Sequence, residues 1–137
     1  MPDRIAPPAA RQPAEVVDLV SMAMSDGDLE AALAQYEHGA LFMPWASQPA
    51  EPGASTRCLL DQIMDLRLPL SVHVQQVLHV GDLALLLVRR EITGLSADGE
   101  YVSLSGCGAT MVRRPPGGPW LIVADAWQLS AIDEIVF

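Results

Sequence analysis

From residue 70 onward the chain consists of four long segments rich in Val, Leu and Ile: 70–80, 82–93, 100–114 and 119–129. Only short turns part them, namely Gly81-Asp82, Ala97-Asp98-Gly99 and Pro115 to Gly118. Parallel neighbours need a crossover of a dozen residues or more, so these connections predict an antiparallel meander. Before residue 70 the period changes. Val16, Leu19, Val20 and Ala23 recur at three- and four-residue steps and predict a helix over 14–25. Asp28 is a natural N-cap for a second helix over 29–37, with Gly39 as its stop and a short strand from Ala40 to Met43. The Pro- and Gly-rich stretch 44–54 predicts a loop. Ser55 or Thr56 then caps a third helix to about Arg67, and Pro69 ends it. Helices first and strands later predict an α+β domain.

The four prolines within residues 1–13 predict a disordered or loosely attached arm, leaving one domain over 14–137. A net charge of -9 would repel a phosphate backbone, so nucleic acid is excluded as a partner. No basic cluster points to an anionic membrane. The N-terminal residues have no apolar stretch of the secretory kind, and two distant cysteines, Cys58 and Cys107, make no disulfide framework. Both features predict a cytoplasmic protein with reduced thiols.

The order of elements, with GDLEAALAQYEHGALFMP (27–44), VGDLALLLVR (80–89) and ATMVRRPPGGPWLIVADAW (109–127), resembles the NTF2-like superfamily, nearest its SnoaL-like and DUF4440-like members. The match runs over roughly residues 14–129. It implies a cone-shaped fold, three N-terminal helices packed on a curved antiparallel sheet around a pocket. Exposed apolar residues on the convex face of such a sheet predict a homodimer, and the apolar end of the tail 131–137 predicts that it crosses onto the partner.

The fold hosts many activities, so chemistry must come from the residues. In the ketosteroid isomerase pattern the general base falls at Pro44 and the oxyanion tyrosine at Val20. Proline accepts no proton and valine donates no hydrogen bond, which disfavours that route. On the last strand, alternation puts Val123, Asp125 and Trp127 on one face. An aspartate on a greasy concave face is a candidate acid or base, and Asp125 resembles the acid/base residue of SnoaL-like cyclases. The competing reading pairs Asp125 with an arginine such as Arg89 or Arg113, or turns it outward to water. Tyr36, Trp45, His73, Gln75, Arg89 and Trp127 are candidates for shaping and orienting a ligand, Trp45 as a lid.

Three functions remain open. The first is a cyclase or isomerase that needs no cofactor and no metal, acting on a hydrophobic polyketide-like carbonyl compound in natural-product biosynthesis through Asp125. The second is a non-catalytic small-molecule-binding or accessory protein. The third resembles limonene epoxide hydrolases and opens an epoxide with Arg89, Glu91 and Asp125. There, a one-residue slip in register would turn Arg89 and Glu91 to the opposite face. The histidines His73 and His79 stand too far apart along their strand to share a metal ion. The small residues of SLSGCGAT (103–110) predict either cavity volume or a sharp bend.

Overall fold

Where apolar residues recur at helical spacing the chain forms α1 (Pro13–Ser25), burying Val16, Val17, Val20 and Ala23. This is seen in the computed structural model, which describes residues 8–47 and 55–131. Asp28 caps α2 (Leu29–Leu33) by accepting a hydrogen bond from the Ala31 amide at 3.0 Å. Ser55 caps α3 (Thr56–Met64) by accepting one from the Cys58 amide, and α3 buries Leu60 and Ile63.

The second helix is shorter than its sequence suggests, and the strand after it is longer. β1 spans Tyr36–Trp45. Tyr36 therefore opens a strand instead of closing a helix, and Gly39, expected as a helix stop, sits inside β1 with φ +82°. The positive φ marks an irregularity there, because the pairing register shifts between Tyr36 and Leu41.

The meander follows as β2 (Leu70–Val80), β3 (Leu83–Leu95), β4 (Tyr101–Arg113) and β5 (Leu121–Ala131). The strand order is β1-β5-β4-β3-β2. β2 through β5 pair antiparallel, but β1 pairs with β5 in parallel, so the sheet is mixed, not wholly antiparallel. β1 precedes the meander and takes the edge that β5 leaves open, with α3 and three strands lying between them in sequence.

One face of the sheet is the core. β3 turns in Leu86, Val88, Arg90 and Ile92; β4 turns in Thr110 and Val112; β5 turns in Ile122, Asp125, Trp127 and Leu129. The phase of β5 changes where the β4–β5 register shifts, between Met111 and Val112. Ile122 is buried in consequence, and Val123 does not join the inward row with Asp125. α1 packs on β2 and α2, and α3 packs on β1 and α2.

The small residues of β4 admit backbone, not a ligand. A Cβ at Gly108 would fall on the carbonyl oxygen of Ala126, and one at Gly106 on that of Gln128. Gln128 itself takes φ 58°, a backbone irregularity in β5 at this close approach.

Residues 8–12, part of the expected loose arm, lie against the domain. Ala10 bridges to Trp120 and is 1% exposed, and the Gln35 amide donates to the Pro8 carbonyl at 2.8 Å. Residues 1–7, the Pro-rich stretch 48–54 and the tail 132–137 lie outside the described residues. Among the described residues no helix is long and apolar enough to cross a membrane.

Gly108→Ala has no space for its methyl group and is expected to cost about 3 kcal/mol, an overpacking penalty placed against rigid backbone. Urea denaturation measures it; a change within experimental error would contradict the close β4–β5 approach.

Candidate functional site

Asp125 projects from β5 into the core, where its side chain is 0% exposed. A buried carboxylate must find donors, and three neighbouring strands and β5 itself supply them. The Tyr36 hydroxyl of β1 donates to Oδ2 at 2.7 Å, and Trp127 Nε1, two residues along β5, donates to the same oxygen at 2.8 Å. The Thr110 hydroxyl of β4 donates to Oδ1 at 2.7 Å. Arg90 of β3 completes the set: its Nη2 lies 3.6 Å from Oδ1 and donates to Thr110 Oγ1 at 3.1 Å.

Aromatic rings enclose this cluster. The Arg90 guanidinium lies over the Trp127 ring, 4.6 Å from its centroid, a cation–π contact. Phe42 meets Trp127 edge-on at 5.0 Å and Tyr36 at 6.0 Å. One polar atom is left over: Arg90 Nη1 is buried and has no hydrogen-bond partner. The Tyr36 phenol is held well above its ordinary range, first by burial, then by the charge of Asp125 and the hydrogen bond to it, with Arg90 opposing.

Of the predicted residues, the structure brings Asp125, Tyr36 and Trp127 together. Trp45 ends β1, half-buried against the core, paired with Leu129. His73 and Gln75 do not line the interior. They are exposed, because Val72 and Val74 take the inward positions of β2. Arg89 is also exposed, on the outer face opposite His73 and Cys107, and forms an ion pair with Glu91 at 2.7 Å. The set Arg89, Glu91 and Asp125 is therefore split between two faces of the sheet, which removes the epoxide-opening arrangement. Arg90 and Ile92 are the inward pair of that strand, and among the described residues no second buried acid stands beside the arginine.

Sequence reasoning missed Arg90 and Thr110. Thr110 carried a signal, since it shares a phase with Gly106 and Gly108, opposite the exposed Cys107. Arg90 carried none that separates it from its neighbour Arg89. Among the described residues, no cluster of three or more His, Cys, Asp or Glu is placed to hold a metal ion.

Among the described residues two large cavities stand out, and Asp125 lines neither. One, of about 740 Å³, is open and lies by the β3–β4 strand ends, where Arg113 pairs with Glu37 at 2.6 Å and Arg114 with Asp82 at 3.1 Å. The other, of about 700 Å³, is walled by the C-terminal ends of α1 and α3 and by β2 and β3. Its apolar wall includes Met24, Leu29, Ile63, Leu70 and Ile92.

No protein-family model matches the chain, and no curated protein does. Solved structures do. A conserved protein from Planctomyces limnophilus superposes with TM-score 0.76 at 16% identity, covering 87% of this chain and 94% of that one. A ketosteroid isomerase-like protein from Erwinia carotovora gives 0.66 at 17%, covering 89% and 95%. An NTF-2 like protein of unknown function from Shewanella oneidensis gives 0.64 at 14%, covering 81% and 91%.

The fold is NTF2-like.

At these identities the likeness speaks for architecture alone. Within the NTF2-like frame, the ketosteroid isomerase positions Val20 and Pro44 are both buried here, as plain core.

The Tyr36 shift has a sign. A neutral phenol favoured by folding stabilises fully below the unfolded tyrosine value of about 10, and that contribution is lost as pH rises beyond it. The phenolate absorbance attributable to Tyr36, wild type minus Tyr36→Phe, is expected to appear only above pH 10.0, together with alkaline unfolding. Its appearance below that value in folded protein would contradict the closed cluster.

Proposed function

We propose that this chain is a small-molecule-binding protein that holds an apolar ligand in the cavity between α1, α3, β2 and β3. In this reading the Asp125 cluster is the frame behind the cavity. The observation that carries it is the separation of the two: a space of about 700 Å³, with Met24, Leu29, Ile63, Leu70 and Ile92 in its wall, stands apart from Asp125, whose carboxylate already accepts from three donors. That volume lies in the usual range of small-molecule sites, about 300–1,000 Å³. Ile92 links them, since it lies two residues from Arg90 on the same face of β3, roughly 7 Å along the strand.

A second reading keeps Asp125 as the acid/base of a cyclase or isomerase acting on a polyketide-like carbonyl compound. It is favoured by Arg90 Nη1, a buried donor without a partner beside the carboxylate. A ligand oxygen there would satisfy it, provided the substrate displaces one donor of Asp125.

A homodimer belongs to the same proposal. Leu41, Ala124, Met111, Leu85 and Leu78 stand directly opposite one another across all five strands, on the outer face. Leu41 and Leu78 are each 48% exposed. An apolar row of this length suits a self-complementary two-fold contact.

Calorimetric titration with octanol tests the cavity: wild type is expected to bind one equivalent, and Leu70→Trp, folded by circular dichroism, to bind none. Failure of wild type to bind would overturn the reading. Asp125→Asn separates the alternatives, keeping octanol affinity under the first and abolishing turnover of a carbonyl substrate under the second. Light scattering is expected to show a dimer that Met111→Arg dissociates; a wild-type monomer at micromolar concentration would exclude it.

A further inference from the structure

We infer that the free edge of β2 pairs antiparallel with β2 of a second copy, joining two sheets into one. The inference is independent of the cavity reading, and it adds a weaker self-contact to the one across the outer face.

The sheet has two edges, β1 and β2, and the chain treats them differently. An open edge presents unpaired N–H and C=O groups, which natural chains blunt with charges, proline or a covering element. β1 is guarded in each of these ways. It carries Glu37 and Pro44, α3 packs against it, and the Thr56 hydroxyl donates to the Ala40 carbonyl at 3.2 Å. β2 is not. Its 11 residues include no Lys, Arg, Asp, Glu or Pro. α1 packs on it, and Val72 and Val74 are half-buried, but from Gln75 onward every residue is exposed. Val77, Leu78 and Val80 are 42%, 48% and 79% exposed. Among the described residues no strand lies beyond β2.

The pattern of β2 names the occupant. Val72, Val74, Val77 and His79 stand opposite the buried Arg90, Val88, Leu86 and Ala84, so all four face inward. His73, Gln76 and Leu78 stand opposite Arg89, Leu87 and Leu85 and face outward. The alternation is regular except at Gln75, where the register shift inserts one residue. The two halves of the strand therefore carry the same faces in reversed order about the Gln75–Gln76 bond. A two-fold axis there sets Val74 against Val77 of the second copy, Val72 against His79 of the second copy, and His73 against Leu78 of the second copy. Each pair matches inward with inward or outward with outward, and a one-residue change of register would break the match. No pair opposes like charges, although each chain carries a net charge of -9. Only a second copy makes use of this symmetry. A single strand pair is a small contact, so it belongs to the weak, concentration-dependent class.

Sedimentation equilibrium of the whole chain tests this, with Met111→Arg removing the outer-face contact. Met111→Arg is expected to be a monomer at micromolar concentration and to pair at about 0.5 mM, in the range of weak contacts. Adding Gln75→Lys/Gln76→Lys sets lysines opposite one another across the axis and is expected to weaken pairing at least about tenfold. The loss is expected even though the added cations reduce the repulsion between two acidic chains. Mixing this variant with Gln75→Glu/Gln76→Glu is expected to restore pairing, as mixed pairs only. Amide hydrogen exchange of the wild type gives a second readout. Protection over 71–80 is expected to rise with protein concentration while that over 36–45 stays constant. A lysine variant that pairs as tightly as its parent, or exchange over 71–80 that ignores concentration, would overturn the inference. If wild type is itself a monomer at micromolar concentration, the outer-face dimer falls. The edge pairing then stands if 71–80 still gains protection on concentration, and falls if it does not.

Discussion

The Asp125 carboxylate ties the sheet together from inside. β5 supplies it, β1 reaches it through Tyr36, β4 through Thr110 and β3 through Arg90. Four of the five strands thus meet at two oxygen atoms. A buried ion pair of this kind adds little stability compared with a well-packed apolar core, yet removing one partner costs about 3–5 kcal/mol, because the other charge is left stranded. The cluster therefore acts as a constraint on register. A one-residue slip of β3 would send Arg90 to solvent and strand Asp125 in the core.

The same constraint explains which parts of the fold were legible in the sequence. The four meander strands read clearly, since long apolar runs with short turns leave few alternatives. β1 did not, because AQYEHG (34–39) has no two-residue alternation and its pairing depends on a strand that begins only at Leu121. The phase of β3 was hidden too. Leu83 to Val88 is apolar at every position, and the charges that follow are adjacent arginines, so nothing local tells which one turns inward. Packing decided it: the carboxylate of β5 lies on the core side and takes Arg90, leaving Arg89 to pair with Glu91 in solvent.

Two features of the site were open to a stricter reading. VHVQ (72–75) alternates cleanly, and burying the valines sends His73 and Gln75 outward. Asp125 with Trp127 was readable as an inward pair, because two-residue spacing survives beyond the β5 irregularity, whereas the position of Val123 did not survive it. The helix-capped cavity was not legible at all. Its wall is assembled from the ends of separate elements, which no local pattern announces.

The parallel union of β1 with β5 bears on how the molecule is made. Tyr36 finds its neighbour only at Ile122, so the first strand to leave a ribosome waits for the last. Until then β1 is an unpaired edge, and Leu41, Phe42 and Met43 have no sheet to rest on. Contacts so distant along the chain make folding slow. Nascent chains halted before β5 would be the species most in need of a chaperone.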